Sequence, residues 1–279
     1  MIGSLSKTKE ILQKYNLRAK KNFGQNFLID SNIINNIIDA SEISEYDGVL
    51  EIGPGIGSMT EMLVKKAKKV ICYEIDSDMI EVLKNEIKTD NLIIKQNDFL
   101  KVNLTEEMKQ FDDCKKVFVV SNLPYYITTP IIFKLLEQKT NIDSMYFMVQ
   151  KEVGLRLTGK PKTKDYNSLS VLMDLQTNSK ILFNVSRNCF YPAPEVDSVI
   201  ILVKRVEKDY SLKDRSNFLK FVQSIFEMRR KTLLNNIIHK YNISKEKVIE
   251  SFNCFSFSES IRAEELTVGQ IVDLYNYLF

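Results

Sequence analysis

The sequence predicts an α/β fold, in which a mainly parallel, doubly wound sheet is followed by a small all-helical C-terminal domain. Two observations lead to this prediction. Between residues 49 and 150, short apolar runs rich in β-branched residues alternate with segments of helical apolar spacing, which is the pattern of consecutive βαβ units. After about residue 208 only helical patterns remain. The length of 279 residues accommodates one large domain and one small one.

The predicted strands and helices follow in chain order. Five strands are expected at 49–53, 69–76, 91–99, 116–122 and 144–150, and two later strands, at 180–185 and 198–205, close the same sheet. Three helices are expected between the early strands, at 58–67, 77–87 and 129–138, because their apolar residues recur near helical spacing. Ser77 and Thr129 suit N-cap positions, and Pro130 suits a first helical turn.

The chain divides into three predicted parts. Residues 1–30 form a basic arm with one helical piece, residues 31–207 the α/β domain, and residues 208–279 a helical domain. The boundary falls in VEKDYSLKD, at 206–214. The helical domain contains two long helical patterns, RSNFLKFVQSIFEMRRKTLLNNIIHKY and VGQIVDLYNYLF.

Cysteine and histidine usage excludes several classes of site. The four cysteines are far apart and form no CxxC pair, so neither a disulfide framework nor a zinc site is expected, and a reducing cytoplasm fits. His239 is the one histidine and lies in the apolar run LLNNIIHKY, which favours a structural role over a hydrolase triad or a metal ligand. No run of 18 apolar residues and no signal-peptide pattern is present, so we expect no membrane span.

Positive charge is concentrated in three segments. The net charge is +3, which identifies no partner by itself. Residues 1–21 have six basic residues and one acidic residue, the stretch 156–165 (RLTGKPKTKD) has four and one, and residues 229–231 form a third cluster. Each cluster alone is typical of a solvated surface, but three in a nearly neutral chain favour a polyanionic partner.

The first chemical signal is EIGPGIG at 51–57, where a strand passes into a helix. Glycines there let the backbone approach a ligand at a helix N-terminus, although a lone GxGxG is often only a tight turn. Glu74, which ends the next strand 21 positions after Gly53, suits ribose hydroxyls, and Asp98 follows the third strand. Together they predict an adenosine-containing cofactor at the carboxyl ends of the strands. NAD and S-adenosylmethionine both remain open at this point.

The fourth strand ends in Asn122-Leu123-Pro124-Tyr125. A ring-conjugated amine needs hydrogen-bond acceptors, which the Asn122 side chain and a carbonyl of the Leu123–Pro124 turn supply. Pro124 fixes the backbone φ, and Tyr125 offers a face on which a base can stack. An Asx turn with core tyrosines is the alternative for the tetrapeptide alone. Its position after the glycine turn and two carboxylates favours methyl transfer from S-adenosylmethionine to a base over NAD chemistry.

At this point the chain resembles the ribosomal RNA adenine N6-dimethyltransferases, most closely the bacterial enzymes that act on small-subunit (16S) rRNA. The resemblance covers nearly the whole chain and lies in KKNFGQNFLID (20–30), VLEIGPGIGSMTE (49–61), NLPYYITTPI (122–131), FMVQKEVGLRL (147–157), CFYPAPEVDSVI (189–200), FEMRRKTLLNN (226–236) and IRAEEL (261–266). It implies a Rossmann-like S-adenosylmethionine-dependent methyltransferase fold, with S-adenosylhomocysteine as product and no metal. The FGQNFL and NLPY motifs are specific, whereas the glycine turn is not.

The resemblance also implies roles for residues of this chain. The cofactor would be held by Gln25, Asn26, Leu28, Gly53, Gly55, Glu74, Ile75, Asp98, Phe99 and Asn122. The target base would be held by Asn122, Leu123, Pro124, Tyr125 and Phe190. The basic residues expected to contact RNA are Lys20, Lys21, Arg156, Lys160, Lys162, Lys164, Arg229, Arg230 and Lys231. Phe190 owes its role to the resemblance alone, and Glu195 stands where relatives often have a basic residue.

The function implied is N6-dimethylation of two adjacent adenosines in the 3′-terminal hairpin loop of small-subunit rRNA, within an immature 30S particle, by a cytoplasmic monomer. Four alternatives remain: a large-subunit (23S) rRNA methylase that confers antibiotic resistance, a DNA adenine methylase, a ribosome-assembly checkpoint factor, and an NAD oxidoreductase. A DNA methylase usually has a diproline in the catalytic tetrapeptide, and an oxidoreductase leaves NLPY unexplained.

Overall fold

The computed structural model describes residues 1–20, 24–138 and 140–279. The strands are β1 (Phe27–Leu28), β2 (Gly48–Ile52), β3 (Lys69–Glu74), β4 (Leu92–Gln96), β5 (Val117–Asn122), β6 (Ile142–Gln150), β7 (Thr177–Val185), β8 (Phe190–Tyr191) and β9 (Ser198–Arg205). The helices are α1 (Leu5–Lys14), α2 (Ser31–Ser41), α3 (Thr60–Lys66), α4 (Ser77–Glu86), α5 (Leu104–Met108), α6 (Thr128–Glu137), α7 (Lys151–Leu157), α8 (Ser168–Asp174), α9 (Arg215–Ile225), α10 (Leu233–Lys240), α11 (Lys245–Cys254) and α12 (Val268–Leu278).

The central sheet has seven strands in the order β4-β3-β2-β5-β6-β9-β7. The pairs β2–β3, β3–β4, β2–β5 and β5–β6 are parallel, and β6–β9 is antiparallel. The α/β fold, the mainly parallel sheet and the two closing strands are therefore confirmed. The strand order reverses at β2, because β3 and β4 lie on one side of it and β5 and β6 on the other. The carboxyl ends of β2 and its neighbours therefore form the crevice at which such sheets bind ligands.

Apolar side chains cover both faces of this sheet. On one face, Val49 and Val70 pack with Ile34 of α2 and Leu63 of α3. On the same face, Cys72, two residues after Val70 on β3, packs with Met79 and Leu83 of α4 and with Ile11 of α1. All five residues of β2 are buried, as expected for a strand in the middle of a parallel sheet covered on both sides.

Some local predictions were wrong. The N-cap of α4 is Asp76, whose side chain accepts from the Asp78 amide, and Ser77 is already helical. Helix α6 begins at Thr128 without a side-chain cap, so Thr129 is not an N-cap. The arm was expected to precede the first strand, but it contains β1, which pairs antiparallel with β8. This pairing joins residues more than 160 positions apart, which no local pattern reveals.

Residues 155–179 and 206–279 form a second compact unit, while residues 1–154 and 180–205 form the first. The core of the second unit contains Tyr166 and Val171 beside Phe218, Phe221 and Tyr275. Residues 155–179 were predicted to belong to the α/β domain. They belong instead to the second unit, because apolar side chains of this segment, such as Tyr166 and Val171, pack in the core of the C-terminal helices. The long pattern at 215–241 is two helices, since no helix spans residues 226–232. Among the described residues, no helix is long and apolar enough to cross a membrane.

Candidate active site

The glycine turn after β2 takes a left-handed backbone. Gly53 has φ +68° and Gly55 has φ +57°, a region that favours glycine over residues with a Cβ. A Cβ on Gly53 would lie 3.4 Å from a Pro124 side-chain atom, and one on Gly55 would lie 3.4 Å from the Phe27 ring. The glycine turn, the NLPY tetrapeptide and the arm therefore meet at one place.

The Glu74 carboxylate organises the turn between β3 and α4. Its Oε2 accepts from the Gly55 amide at 3.1 Å, and its Oε1 accepts from the amides of Ile75 at 2.8 Å and Asp76 at 2.9 Å. Burial raises the pKa of Glu74, and the three amides oppose that rise. A carboxylate has about four acceptor positions, so roughly one remains for a ligand hydroxyl.

The arm is attached to the N-terminus of α4. Gln25 donates from Nε2 to Asp76 at 2.8 Å and accepts from the Lys20 amide at 2.8 Å. The Lys20 ammonium lies 2.8 Å from Asp76 and 2.7 Å from Asp78, and these hydrogen bonds raise its pKa. Gln25 is therefore held beside the predicted cofactor residues, while Lys20 is paired with carboxylates. Lys21 lies outside the described residues.

The tetrapeptide begins at the last residue of β5. Asn122 donates from Nδ2 to the Asn26 carbonyl at 3.3 Å. Among the described residues, no hydrogen bond reaches Asn122 Oδ1 or the Leu123 carbonyl, so both remain acceptors for a ligand. The Pro124 carbonyl is already used, because it accepts from the Ile127 amide at 3.2 Å and the Thr128 hydroxyl at 3.1 Å.

Tyr125 is fixed by its hydroxyl, which is 2.7 Å from the Ser198 hydroxyl at the start of β9. Burial raises the pKa of Tyr125, although the bond to Ser198 opposes this. The side chain of Leu123 is buried, with 1% of its surface exposed, and its amide donates to the Met148 carbonyl at 3.2 Å. The tetrapeptide is thus anchored to β6 and β9 while Asn122 faces the pocket.

A pocket lies where these elements meet. Its empty volume is about 750 Å³, including the open solvent at its mouth. Gln25, Asn26, Leu28, Gly53, Gly55, Glu74 and Ile75 line it, as do all four residues of the tetrapeptide. The structure therefore brings together most of the residues predicted from the sequence. Of the described residues predicted to form the site, Asp98, Phe99 and Phe190 do not line the pocket.

Two polar residues at the inner wall were missed by the sequence analysis. Glu51 is 2% exposed, and its Oε2 accepts from the Thr60 hydroxyl at 2.7 Å. Burial raises the pKa of Glu51 from 4.5 to about 8, and the Glu74 charge adds to the rise. The Ser58 hydroxyl is buried and has no hydrogen-bond partner among the described residues. A carboxyl inside the apolar strand VLEI was a signal for Glu51, but nothing in the sequence marked Ser58.

Tyr126 is a further pocket residue that was not predicted. Its ring is 56% exposed, and a Cβ on Gly24 of the arm would lie 3.6 Å from it. Burial, followed by the charges of Asp98 and Glu74, raises the pKa of Tyr126, so its hydroxyl lies within the field of both acids.

Asp98 and Phe99 lie at the end of β4. Asp98 caps a short 3₁₀ turn by accepting from the Leu100 amide at 3.0 Å. Phe99 is buried edge-on against Tyr73, with ring centroids 5.5 Å apart. Both therefore have structural contacts, and their contact with the cofactor stays a prediction.

Phe190 is positioned by the arm. It pairs with Leu28 in the register of β1 and β8, and both side chains belong to one buried cluster. Phe190 is only 3% exposed, so its role beside a base stays a prediction. Glu195 is exposed, and its backbone carbonyl accepts from Arg187 at 3.4 Å.

The second unit joins two of the basic clusters. The Arg229 guanidinium donates to the Lys164 carbonyl at 2.8 Å and to Glu264 at 3.0 Å, while the Lys162 amide donates to the Glu264 carbonyl at 2.8 Å. The other basic side chains of these two clusters are exposed: Arg156, Lys160, Lys162, Lys164, Arg230 and Lys231. Within the described part of the chain, no group of three metal-ligating side chains was found.

The sequence matches one family over most of its length. A sequence model described as ribosomal RNA adenine dimethylase matches residues 16–279. Two relatives, from Bacillus licheniformis and Bacillus cytotoxicus, are each described as ribosomal RNA small subunit methyltransferase A. They are 41% and 42% identical to this chain, and each alignment covers 99% of this chain and 97% of the relative.

Solved structures show the same architecture. A dimethyladenosine transferase from Plasmodium falciparum has a TM-score of 0.71 at 27% identity, covering 88% of this chain and 95% of that one. The 23S rRNA methyltransferase ErmE has a TM-score of 0.64 at 24% identity, covering 91% and 99%. The likeness to ErmE shows a shared fold.

Proposed function

The chain belongs to the ribosomal RNA adenine dimethylase family, and from this premise we propose that it uses S-adenosylmethionine to dimethylate N6 of adenosine in small-subunit rRNA. The proposed target is the pair of adjacent adenosines in the 3′-terminal hairpin loop, within an immature 30S particle in the cytoplasm. The protein acts as a monomer. The names of the Bacillus relatives support the small subunit as substrate.

One observation carries the proposal: the glycine turn and the NLPY tetrapeptide line the same pocket, and a Cβ on Gly53 would lie 3.4 Å from Pro124. A cofactor on the turn and a base on the tetrapeptide would then be neighbours. Bringing two reactants together in this way is the main contribution an enzyme makes when the transferred group is already activated.

The pocket residues fit S-adenosylmethionine. The left-handed turn at Gly53 and Gly55 leaves the space that a ligand needs, because a side chain there would fill it. Glu74 has about one acceptor position left for a ribose hydroxyl, and the unpartnered Ser58 hydroxyl offers a polar contact at the inner wall. When bound, the cofactor supplies an activated methyl group. We assign the adenine end to Asp98 and Phe99, and the arm residues Gln25, Asn26 and Leu28 would close over the cofactor.

The tetrapeptide would hold the target amine by its two N–H groups. Asn122 Oδ1 and the Leu123 carbonyl are the acceptors, and the hydrogen bond from Asn122 to Asn26 sets which amide atom faces the pocket. Tyr125 supplies a stacking face whose position is fixed through Ser198, and Phe190, which pairs with Leu28 of β1, would approach the base from the other side. An amine that already bears one methyl still has an N–H for one acceptor, which is compatible with a second transfer.

The RNA would be bound through phosphates by the joined basic clusters of the second unit and through the extruded base. Loop RNA is the expected target, because its bases can be unstacked and read, whereas A-form grooves cannot. Arg156, Lys160, Lys162, Lys164, Arg230 and Lys231 are exposed for such contacts.

The deciding experiment incubates the protein and labelled cofactor with unmethylated small subunits and, in parallel, with unmethylated large subunits. Mass spectrometry of nuclease fragments should find two dimethyladenosines in the 3′-terminal fragment of the small-subunit rRNA. Methylation of large-subunit rRNA alone would instead assign the protein to the resistance methylases. A variant that is inactive but still restores subunit assembly in cells would favour the checkpoint role.

A further inference from the structure

The arm and β8 enclose a groove that the proposed function does not use. It is lined by Lys9 and Leu12 of α1, by Leu17 and Arg18 after that helix, and by Tyr191 and Pro192, and encloses about 750 Å³ together with open solvent. We call this the α1–β8 groove. Its floor is apolar, and its charged members are two cations.

These cations differ from the other basic residues of the arm. Lys7 is 2.6 Å from Glu10, Lys14 is 2.6 Å from Glu86, and Lys20 is paired with Asp76 and Asp78. Among the described residues, by contrast, neither Lys9 nor Arg18 forms an ion pair. Among the described side chains of the arm, the positive charge without a carboxylate partner therefore lies at the groove.

An aromatic face lies between them. Tyr191 is 36% exposed, and the Lys9 ammonium lies 5.4 Å from the centroid of its ring. A flat ring bordered by unpaired cations, with no carboxylate in the lining, matches a nucleotide, because the base stacks on the ring while the phosphate meets the cations. An acidic peptide would use the cations but leaves the exposed ring without a partner.

The groove adjoins the active site through the small sheet. Tyr191 pairs with Phe27 in the register of β1 and β8, and the Phe27 ring is 3.4 Å from the Cβ position of Gly55. Tyr191 also directly follows Phe190, the residue assigned to the target base. The groove therefore adjoins the pocket through Phe27, which lines the pocket and pairs with Tyr191.

We propose that the α1–β8 groove binds the nucleotide that flanks the target adenosines, with Tyr191 stacking on its base and Lys9 and Arg18 contacting its phosphates. The inference deepens the proposed function and rests on it. The Lys9 ammonium moves from the ring to the phosphate when the base enters. The groove thereby fixes the register of the loop, and so decides which adenosine reaches Asn122.

The test is a double-mutant cycle, in which binding affinity is measured for a protein variant and an RNA change, separately and together. The full-length protein is titrated, in the presence of S-adenosylhomocysteine, with ribosomal particles whose loop has either its normal base or an abasic residue next to the target. For the wild type, loss of the base should weaken binding roughly tenfold. For Tyr191→Ala the normal particle should bind roughly tenfold more weakly, and the abasic change should have no further effect.

Tyr191→Phe is the matched control, because it keeps the ring and should behave as the wild type. Tyr191→Leu keeps bulk at the strand and should behave as Tyr191→Ala, which separates stacking from damage to β8. Unchanged affinity of Tyr191→Ala, or equal abasic losses in both proteins, would overturn the assignment. The cycle is run on the rRNA that the wild type methylates. A wrong assignment of the rRNA substrate would therefore appear in the methylation experiment, whereas a wrong assignment of the groove would appear in this cycle.

A second measurement tests the cations. The double variant Lys9→Gln, Arg18→Gln should reduce the slope of log affinity against log salt by about two and leave binding of S-adenosylhomocysteine unchanged. A double variant of two exposed lysines outside the groove, Lys65→Gln with Lys66→Gln, should leave the slope as it is. An unchanged slope in the groove variant would remove the phosphate contacts from the proposal.

Discussion

The Asn122 side-chain amide donates to the backbone carbonyl of Asn26 across 3.3 Å. A residue at the end of β5 is thereby oriented by the arm, 96 positions earlier in the chain. With Nδ2 engaged, Oδ1 is the atom left to accept from a target amine. In the proposed function, the arm therefore orients an acceptor of the target amine and also lines the pocket proposed for the cofactor.

Asn122→Ala should nearly abolish methyl transfer. Removing Oδ1 takes away one of two acceptors for the target amine, and loss of one well-placed polar group at a reacting centre typically costs a hundredfold or more in rate. Binding of S-adenosylhomocysteine should change little, because Glu74 and the glycine turn are intact. Single-turnover methylation and calorimetric titration measure the two effects.

Asn103→Ala is a suitable comparison for Asn122→Ala. Asn103 caps α5 and does not line the pocket, so this variant should lose stability but keep its turnover per folded molecule. Substantial turnover by Asn122→Ala would refute the role assigned to the tetrapeptide.

Glu74→Gln should weaken cofactor binding and lower stability together. The glutamine amide would turn an N–H group towards either Gly55 or the Ile75 and Asp76 amides, leaving a buried donor unsatisfied at a cost of about 1–3 kcal/mol. Thermal unfolding with and without S-adenosylhomocysteine would show a lower Tm and a smaller ligand-induced increase. The exposed Glu81→Gln, on the neighbouring helix α4, should match the wild type in both. A Glu74→Gln variant with normal affinity would mean that the carboxylate does not organise the turn.

The sequence predicts this site well where local chemistry determines it. Gly53 and Gly55 follow from strand-to-turn spacing, and Glu74 follows from the end of the next strand. Phe27 and Tyr191 do not, because their pairing depends on two-residue strands far apart in the chain. Ser58 is distinguished only by its buried hydroxyl, which has no partner among the described residues. Tyr125 and Tyr126 are adjacent and identical but differ in exposure. Long-range packing determines these features, and the apolar periodicity of the sequence does not reveal it.

Gly55→Ala should destabilise the protein and reduce cofactor affinity. At φ +57° an alanine is strained by about 1–2 kcal/mol, and its methyl would lie in van der Waals contact with the Phe27 ring, at 3.4 Å. Gly269→Ala in α12 is the matched substitution, since its Cβ would meet only Tyr210 at 3.9 Å and should stabilise the helix by about 0.5–1 kcal/mol. Denaturant titration should therefore give shifts of opposite sign. Equal shifts would contradict the role of the left-handed turn.

Binding to rRNA should depend on Arg230 and Lys231 through charge alone. Both are exposed, so Arg230→Ala and Lys231→Ala should each reduce the salt slope of rRNA binding by about one without changing stability. Arg229→Ala should also loosen the loop at 160–164, because Arg229 bonds to the Lys164 carbonyl and Glu264. Lys66→Ala, on an exposed face of α3, serves as the charge-matched control. If the salt slope of all variants equalled that of the wild type, the second unit would not contact phosphates.

Glu51 should make stability fall as pH rises towards 8. Burial raises its pKa from 4.5 to about 8 in the folded protein, so between these values the folded state holds a proton that the unfolded state has released, and unfolding gains from rising pH. By pH 7, this effect of Glu51 lowers the free energy of unfolding by about 3 kcal/mol. Glu51→Gln keeps a hydrogen-bonding partner for Thr60 but cannot ionise, so its unfolding free energy should lack this decline, and the two curves should diverge from pH 5 to 8 in chemical denaturation. Parallel curves would show that the Glu51 pKa is not raised in the folded state.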